Sequence, residues 1–505
     1  MRRFVTTAAA VAAFLAPAAS AAAKPIAHYE EGIATRSINP GPDGKWDGHP
    51  VYLGGYGIGG GSPVFAGRAA TGILRDGVDV RAIVIGDGRH YVALADAQLQ
   101  GWFAETRDGP YGISDVRHAV EAATGGKLKA SQVIVQSDHT HGGPDVMGVW
   151  GGAPPAYRAY VVNQTVAAIL DAYRTRRRAT LWYGTAPGAD LLSNQFDYDA
   201  ANKVMDSDVR VLQARDDAGR PLATMLNFSA HATVLGSSNT KATGDWPTAA
   251  NRLLEQRLGG QAITIVGTVG RTQPADRGCP DASLTGDGRS ICMIDDYAGR
   301  VVSRVQDALT SAQPLRGSAS VASRSYLVED VASNPLLLGM LYGGAAAGIP
   351  IDRSLTPPWM AGSVLGTTTA SVRVGDLLLS AGPGEMYPQI PLKVRERMTG
   401  LRGYMTAGLA DDQLGYLIAP YTAYPEPIRR SFFNEQGDQV SPLDNDNYFF
   451  NVSHTMGERV TCSLLRGAQE LFDRGTDPRD GDSDCAPFAN DEALPPGADT
   501  TTPGT

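Results

Sequence analysis

The fold class follows from the stretch Val80–Ile85, which reads VRAIVI, and from the segments directly after it. A second short apolar run, Tyr91–Leu94, is followed by a helix-like amphipathic segment at Ser114–Ala123 and by a further apolar run at Gln132–Gln136. Strands that alternate with helices in this way are typical of a layered α/β domain. We therefore predict an α/β fold in which layered mixed β-sheets are flanked by helices in one large domain.

The same alternation returns farther along the chain, without an internal repeat. By contrast, residues 26–70 are rich in Gly, Pro and Tyr, so we expect a folded loop region there, and we expect Arg176–Arg178 at a solvated helix end. The later alternation predicts helices at Ala156–Tyr173, Pro247–Leu258, Tyr297–Ala312 and from about Gln389, and strands at Leu222–Phe228, Ala262–Val266 and Val372–Leu379.

Composition places the chain among globular proteins. It has 505 residues, of which 43% are hydrophobic and 19% are charged, and its formal net charge is -9. A negative net charge without a long basic cluster argues against binding to nucleic acid. We expect a small-molecule or lipid substrate and no nucleic-acid partner.

The two ends of the chain differ in composition from the rest. Residues 1–23 begin with a positive stretch at Met1–Arg3, continue with an apolar run and end in small residues, which is the layout of a secretory signal peptide. The apolar run is too short to cross a bilayer of roughly 30 Å, although an anchor that is never cut is the alternative. Past Arg474 the chain is rich in Asp, Pro, Gly and Thr. We predict a secreted or periplasmic protein with a signal peptide at 1–23, one domain at 26–475 and a disordered tail at 476–505.

The chain contains four cysteines, at positions 279, 292, 462 and 485. An even number of cysteines in an exported chain favours disulfides over metal thiolates. No C-x-x-C element is present, which argues against a zinc-cysteine site. We predict the pairs Cys279–Cys292 and Cys462–Cys485.

Two histidines follow the apolar strand Val133–Val135, in the motif QSDHTHGGPD at residues 136–145. Side chains two positions apart share a face of a strand, so we expect His139 and His141 to point the same way. Strand ends in α/β sheets are the usual place for ligands, and the Gly-Gly-Pro that follows turns the backbone away. Metal binding is one interpretation, and a pair of histidines hydrogen-bonded to loop carbonyls is the other.

A third histidine and a glutamate also follow apolar strands. His231 lies in LNFSAHAT, and Glu385 comes after LLLSA and a Gly-Pro-Gly turn. Asp245, farther along from His231, stands where a helix cap is wanted, and Glu385 would otherwise be an ordinary first-turn helix residue. Two histidines and one glutamate at strand ends form the set that catalytic zinc uses together with an open position for water.

The motifs HTHGGP, SAHAT with its downstream Gly-Asp, and PGE together resemble the neutral, non-lysosomal ceramidase family, over about residues 32–416. In that family the corresponding two histidines, the glutamate and a downstream tyrosine hold one zinc ion. The resemblance implies zinc ligands at His139, His231, Glu385 and Tyr416, the last of which ends the segment GLADDQLGY. A packed tyrosine is the alternative for Tyr416.

The chain departs from the ceramidase pattern near the expected substrate site. The family's Gly-Asp-Val-Ser-Pro corresponds to GRTQP at residues 270–274, so Gln273 replaces a serine of the active site and Arg271 adds a positive charge. A substrate-facing Asn-Arg of the family corresponds to Asn194-Gln195. We also expect the catalytic domain alone, without the family's C-terminal β-rich domain.

These residues predict a mechanism of amide hydrolysis. Zinc lowers the pKa of a bound water to about 7, and the resulting hydroxide would attack the carbonyl of an N-acyl (sphingo)lipid-like substrate reached by peripheral membrane contact. His141 is the candidate for proton transfer or oxyanion stabilisation, and Asp245 for orienting a ligand histidine. Arg271 and Gln273 would contact the polar end of the substrate.

Two other functions fit the same residues. One is a catalytically altered binding protein on the same fold, which the glutamine at Gln273 favours. The other is a metal-dependent esterase or lactonase that acts on a non-lipid substrate. The apolar stretch Asn334–Ile351, with the PPWM motif at 357–360, predicts either a lipid-facing lid or a buried helix plus loop.

Overall fold

The computed structural model describes residues 24–56, 67–106, 108–194, 204–270, 272–332, 364–419, 450–453, 455–474, 485 and 488. Within these ranges the helices are α1 (Ile113–Ala123), α2 (Pro155–Arg174), α3 (Asp245–Leu258), α4 (Gly286–Thr310), α5 (Gln389–Arg397) and α6 (Met456–Leu471). Single 3₁₀ turns lie at Ala130–Gln132 and Ala189–Leu191.

The strands fall into two main sheets and four short ladders. In chain order they are β1 (His28–Ser37), β2 (Lys45–Trp46), β3 (His49–Pro50), β4 (Tyr52–Leu53), β5 (Arg68–Ala69), β6 (Asp79–Gly86), β7 (Tyr91–Ala97), β8 (Val133–Ser137), β9 (Arg177–Pro187), β10 (Leu192–Asn194), β11 (Asp208–Arg215), β12 (Pro221–Phe228), β13 (Gln261–Val266), β14 (Thr272–Pro274), β15 (Gln313–Pro314), β16 (Val321–Val331), β17 (Val364–Val374), β18 (Leu377–Ala381), β19 (Glu385–Met386), β20 (Gly403–Ala407) and β21 (Tyr416–Leu417).

The large sheet has the strand order β13-β12-β11-β9-β1-β6-β7-β8, with β15 paired to β9. Its two outermost pairs, β12–β13 and β7–β8, are parallel, and the pairs between them are antiparallel. This alternation gives β12 and β8 opposite nominal directions. A twist of about 20–25° per step accumulates to roughly 120–150° over the six steps between them. The ends of β8 and β12 can therefore approach each other although the flat topology puts them at opposite edges.

A contact across the large sheet shows how strongly it curls. The Arg81 side chain on β6 donates to the carbonyl of Ala262 on β13, 2.7 Å away, although four strands separate the two in the sheet order. Arg81 is buried, and its partners Asp79 and Glu255 neutralise its charge. The curled sheet thus brings β6 against the start of β13, and the Gln136 side chain near the end of β8 donates to the carbonyl of Val266 at the end of β13.

The second sheet has the order β16-β17-β18-β20 and packs face to face on the large one. The core between the sheets contains Ile83, Leu94 and Ile134 from the large sheet and Val372 and Leu379 from the small one. The outer face of the large sheet is covered by α1 and α2 on one side and by α3 and α4 on the other. Helices α5 and α6 cover the outer face of the small sheet. The molecule is therefore a four-layer helix–sheet–sheet–helix arrangement, and the predicted α/β class is confirmed.

Several predicted elements differ from those observed. The expected loop region contains β1, whose ten residues form the middle of the large sheet, and Arg177 begins β9 rather than lying at a helix end. The single strand predicted at Val372–Leu379 is two strands, because the backbone reverses at Gly375, where φ is +62°. Helix α4 begins at Gly286, well before the predicted start at Tyr297. In each case the boundary of the helix or strand depends on tertiary packing and could not be located from the local spacing of apolar residues.

Both predicted disulfides are present, with Cys279 bonded to Cys292 on α4 and Cys462 on α6 bonded to Cys485. Among the helices within the described ranges, none is long and apolar enough to cross a membrane. The predicted lid at Asn334–Ile351, the signal peptide at 1–23 and most of the tail at 476–505 lie outside the described residues.

Candidate metal centre

The site is formed where strands of both sheets end. His139 and His141 follow β8, and His231 follows β12, both in the large sheet. Glu385 follows β18 of the small sheet, after the turn at residues 382–384. The curl of the large sheet and its packing on the small one bring these four side chains together.

The ligand-type atoms converge closely. The Glu385 Oε2 atom lies 3.4 Å from His139 Nε2 and 3.3 Å from His231 Nε2. His141 Nε2 lies 3.3 Å from His139 Nε2. The two histidines nearest the glutamate are each 1% exposed, and Glu385 is 5% exposed. The three histidine nitrogens lie within 4.8 Å of one another, so this buried group can hold a metal ion.

The spacing of these atoms fits a tetrahedral metal site. A zinc ion with ligands at about 2.0–2.1 Å places neighbouring ligand atoms roughly 3.3–3.4 Å apart. The separations of Glu385 Oε2 from His139 Nε2 and His231 Nε2 equal this edge length. His141 Nε2 lies at the same separation from His139 Nε2, so spacing admits both Glu385 and His141 beside the two histidines, and imidazole and carboxylate donors are of the types that zinc uses.

Backbone carbonyls orient His139 and His231. The Nδ1 atom of His139 lies 2.7 Å from the carbonyl oxygen of Gln100, and that of His231 lies 2.8 Å from the carbonyl oxygen of Thr272. An Nδ1–H that donates to a carbonyl leaves the Nε2 lone pair free toward the metal. The Thr272 hydroxyl in turn donates to the carbonyls of Ser229 and Thr268. The orientation of His231 thus rests on a buried hydrogen-bond network.

His139 has an unusual backbone conformation. Strand β8 ends at Ser137, and His139 has φ +63°, in the left-handed region that a residue with a side chain rarely adopts. The predicted convergence of the His139 and His141 rings is therefore present, but a left-handed turn after the strand produces it, not the face of an extended strand. Strain of this kind is typical of functional sites.

The electrostatics of the site favour an ionised Glu385. Burial alone would raise the pKa of Glu385, but the facing His139 and His231 lower it to well below its usual range when their Nε2 atoms carry protons and donate to the carboxylate. Asp138, directly before His139, shows the opposite: burial and then the charge of Asp96 raise its pKa well above the usual range. Of these neighbouring buried carboxyls, Glu385 is the one arranged to carry a negative charge.

His141 is arranged to stay neutral. Burial, followed by the nearby His139 and His231, lowers its pKa well below the usual value. Its Nδ1 atom is shielded from solvent and has no hydrogen-bond partner among the described residues. The ring packs edge to face on Tyr56, with the centroids 4.6 Å apart. The Nε2 atom, which faces His139, is therefore the His141 nitrogen available for chemistry at the site.

Asp245 supports the turn after His231. Its two carboxylate oxygens accept hydrogen bonds from the backbone N–H groups of Val234 and Leu235, at 3.1 and 2.9 Å, and one also accepts from Trp246. The Trp246 indole donates to the carbonyl of His231 at 2.9 Å. The partner of the His231 ring is the carbonyl of Thr272, and Asp245 instead binds the loop after His231 as the first residue of α3, whose N-cap is Gly244. Burial raises the pKa of Asp245 to about 6.

Tyr416 lies beside Glu385. The two residues pair in the short parallel ladder of β19 and β21, so their side chains stand on the same face. Tyr416 is buried and packs with Tyr387, Ile418 and Phe450. These contacts are those of the packed-tyrosine alternative, in a position next to the ligand glutamate.

The predicted substrate residues are described only in part. Gln273 lies on β14, one residue past Thr272, and its side-chain oxygen accepts a hydrogen bond of 2.8 Å from the hydroxyl of Thr233. Arg271 and Gln195 lie outside the described residues. Of the predicted polar contacts, the structure therefore places Gln273 next to the His231 support and leaves Arg271 a prediction.

The loop at residues 408–411 supports the site, although its sequence gives no sign of this role. It lies in the segment GLADDQLGY that ends at Tyr416. The backbone of residues 408–411 hydrogen-bonds to Ser137 at the end of β8, to Val266 at the end of β13 and to the 382–384 turn before Glu385. Asp411, at φ +65°, also accepts from the backbone of Val135. This loop joins the segments that carry ligands in both sheets. Backbone bonding of this kind carries no residue-type signal, apart from Asp411.

Two solved structures share this architecture. A ceramidase in complex with C2 matches with a TM-score of 0.66 at 16% identity, over 89% of this chain and 76% of that one. The neutral ceramidase of Pseudomonas aeruginosa matches with a TM-score of 0.62 at 16% identity, over 86% of this chain and 75% of that one.

The chain has the fold of the neutral ceramidases. A comparison with family models gives no match, and neither does a comparison with curated proteins. Likeness at 16% identity concerns the fold, so the ceramidase-like architecture is established while the reaction has to be argued from the site itself.

Proposed function

We propose that this protein is a zinc-dependent hydrolase that cleaves the amide bond of an N-acyl lipid, with a sphingolipid-like substrate as the first candidate. One observation carries the proposal: the Nε2 atoms of His139 and His231 and the Oε2 atom of Glu385 meet, buried, at the edge lengths of a tetrahedral zinc site. Two histidines and one glutamate are a ligand set of catalytic zinc, in which the fourth position is left for water or substrate.

In such a site the metal supplies a Lewis acid that lowers the pKa of water and polarises a carbonyl oxygen. The residues of the chain supply the rest. His141, whose Nε2 atom lies 3.3 Å from His139 Nε2, would accept a proton at that atom from the attacking water and return it to the departing amine. Tyr416, on the face of Glu385, is proposed as a further ligand beside the position left for water, and Asp245 as the residue that fixes the loop behind His231.

We propose that Gln273 and Arg271 bind the polar head of the lipid substrate. Gln273 stands directly after Thr272, whose carbonyl orients His231, so its carboxamide lies close to the metal ligands. The ceramidase bound to C2 shares the fold, which supports an acylated amine as the substrate class. We also propose that the protein acts outside the cytoplasm, since its two disulfides suit an oxidising compartment.

Metal content is the first test. We expect about one zinc ion per chain by inductively coupled plasma mass spectrometry, and its loss in His139→Ala and His231→Ala variants. His90→Ala is the matched control, because the His90 side chain is 64% exposed and remote from the site. Wild-type protein that binds no zinc, or a His139→Ala variant with full zinc content, would rule out the proposed centre.

The reaction class needs a separate test. We expect zinc-loaded protein to release fatty acid and free amine from short-chain N-acyl sphingosines, and chelation followed by zinc to abolish and restore that release. His141→Ala should keep its zinc and lose turnover, whereas loss of zinc in this variant would make His141 a ligand instead.

A second candidate, a zinc-dependent esterase or lactonase, is favoured by the tether between Gln273 and Thr233, which occupies the place of the family's serine. Cleavage of esters or lactones without cleavage of amides would select it. Tight lipid binding with no turnover would select the catalytically altered binding protein.

A further inference from the structure

The guanidinium group of Arg68, on β5, joins three loops around His141. It donates to the backbone carbonyls of Gly54 at 2.8 Å, of His141 itself and of Asn239. The first carbonyl belongs to the segment after β4, the second to the loop after β8, and the third to the loop that leads into α3. One side chain therefore fixes the backbone of His141 relative to two other segments.

The same guanidinium also contacts the ring that packs on His141. The Arg68 Cζ atom lies 4.9 Å from the centroid of the Tyr56 ring, and Tyr56 meets the His141 ring edge to face at 4.6 Å. The Tyr56 hydroxyl donates to the carbonyl of Leu235 at 3.3 Å, which fixes the tyrosine from its other end. Arg68 therefore acts on His141 twice, through the backbone and through the neighbouring aromatic ring.

The space around the His141 ring leaves little freedom. Gly55 has φ +88°, and a Cβ atom at that position would lie 2.3 Å from Cγ of His141. The ring is thus held between the bare backbone of Gly55 and the edge of Tyr56. A small displacement of the loop at residues 54–56 would move the imidazole directly.

We propose that Arg68 is a positioning residue for His141, which through three carbonyl contacts and the Tyr56 ring holds the imidazole at the place where it exchanges protons with water and substrate. The inference rests on the proposed function of His141 as the proton-transfer group. Arg68 itself touches no reacting atom. Its contribution is to orientation, where a misplacement of about 1 Å can cost on the order of 100-fold in rate.

The geometry of the contacts requires arginine rather than any cation. A guanidinium presents five N–H donors in a rigid fork and stacks on aromatic faces, whereas an ammonium is a compact point charge. Lysine at position 68 would keep the positive charge but could not bridge three carbonyls while covering Tyr56. A role based on charge alone is therefore separable from a positioning role.

The test compares zinc-loaded wild type with Arg68→Lys and Arg68→Ala on a short-chain N-acyl sphingosine in detergent micelles. We expect kcat to fall roughly 10- to 100-fold in both variants, with KM and zinc content nearly unchanged. Added guanidinium chloride at low millimolar concentration should restore part of the lost kcat in Arg68→Ala and none in His141→Ala. Arg176→Ala is the matched control, since Arg176 also lies over tyrosine rings, 4.4 Å from Tyr91 and 3.6 Å from Tyr173, but on a remote part of the large sheet.

A measurement without substrate separates this inference from the proposed function. Long-range ¹H–¹⁵N spectra of the zinc-loaded protein, which has eight histidines, should show shifts of the His141 ring signals in Arg68→Ala, while the signals of His139 and His231 stay in place. Wild type that hydrolyses nothing but shows this selective shift would refute the reaction and keep the positioning role. Unchanged His141 signals, or Arg68→Lys with wild-type kcat, would overturn the positioning role itself.

Discussion

Glu385 and Glu31 are both buried glutamates, but their pKa values are shifted in opposite directions. Burial raises the pKa of Glu31 to about 7, because Arg177, its pairing partner on β9, offsets only part of the cost of desolvation. Glu385 experiences the same cost, but two imidazoles within 3.4 Å lower its pKa instead. The difference teaches that burial alone does not identify a functional carboxylate. A buried carboxylate kept ionised by converging nitrogens does.

The largest expected effect comes from removing the charge of Glu385. A Glu385→Gln variant keeps the shape of the side chain but supplies a weaker, neutral ligand, so zinc affinity should fall by more than about 100-fold, which exceeds the usual effect of outer-shell changes. Competition with a chromophoric chelator measures the affinity. Glu31→Gln is the matched control and should bind zinc as the wild type does. Equal zinc affinities of the Glu385→Gln and Glu31→Gln variants would show that Glu385 is not a metal ligand.

The second effect concerns Glu31 and the pH dependence of stability. The pKa of Glu31 rises on folding from 4.5 to about 7, so between these values the folded state holds the proton more tightly than the unfolded state. Stability contributed by protonated Glu31 is full below about pH 4.5 and is lost as the pH rises to 7, by roughly 3 kcal/mol in total.

Urea unfolding at pH 5 and pH 8 measures this effect as a difference between two proteins. Glu31→Gln has no proton to lose, so it should become more stable relative to the wild type as the pH increases. Parallel pH profiles of the two proteins would show that Glu31 is already solvated.

A smaller effect is expected from the hydrogen bonds behind His231. Thr272→Val keeps the side-chain shape but leaves the buried carbonyls of Ser229 and Thr268 without their donor, at a cost of roughly 1–3 kcal/mol in unfolding free energy. The Thr272 carbonyl that orients His231 then loses support, and zinc affinity should decrease by about 10-fold. A variant that loses stability but binds zinc unchanged would separate the network from the metal site.

The smallest effect should come from charges that are neither buried nor at the site. Arg252 contacts Asp76 at 3.3 Å and Asp295 at 2.7 Å, and Arg75 pairs with the same two carboxylates. Because Arg252 is 26% exposed and its partners keep Arg75, Arg252→Ala should cost less than about 1 kcal/mol. The cost should shrink further in 0.5 M NaCl, as thermal unfolding at two salt concentrations would show. A larger, salt-independent loss would mean that partial exposure does not weaken these pairs.

The sequence locates the residues that converge at the candidate metal centre, for a physical reason. Ligands that directly follow apolar strands can be located because strand periodicity is a strong local signal, and His139, His231 and Glu385 all stand in such positions. Their spatial convergence could not be derived in the same way. It depends on the twist of eight strands and on the docking of a second sheet, which no local pattern encodes.

The helices and strands that were predicted wrongly also depend on tertiary packing rather than on local sequence. Strand β1 lies at the centre of the large sheet, yet its sequence HYEEGIATRS has too little alternation to predict a strand. The left-handed turn at His139 and the carbonyl partners of both histidine rings depend on backbone geometry rather than on residue type. Asp245 fits neither expectation, since its carboxylate binds the backbone of Val234 and Leu235, which are eleven and ten residues earlier in the chain.

The ligands of the centre come from two different sheets, His139 and His231 from the large one and Glu385 from the small one. A bound ion would therefore act as a further cross-link between two layers that adhere through apolar packing and through the hydrogen bonds of the loop at residues 408–411. Mass action makes that cross-link adjustable: free metal at about 1,000 times the dissociation constant adds roughly 4 kcal/mol to the stability of the whole molecule. The melting temperature of this protein should consequently depend on the concentration of free zinc around it. A low zinc concentration would then decrease the stability of the fold as well as the activity.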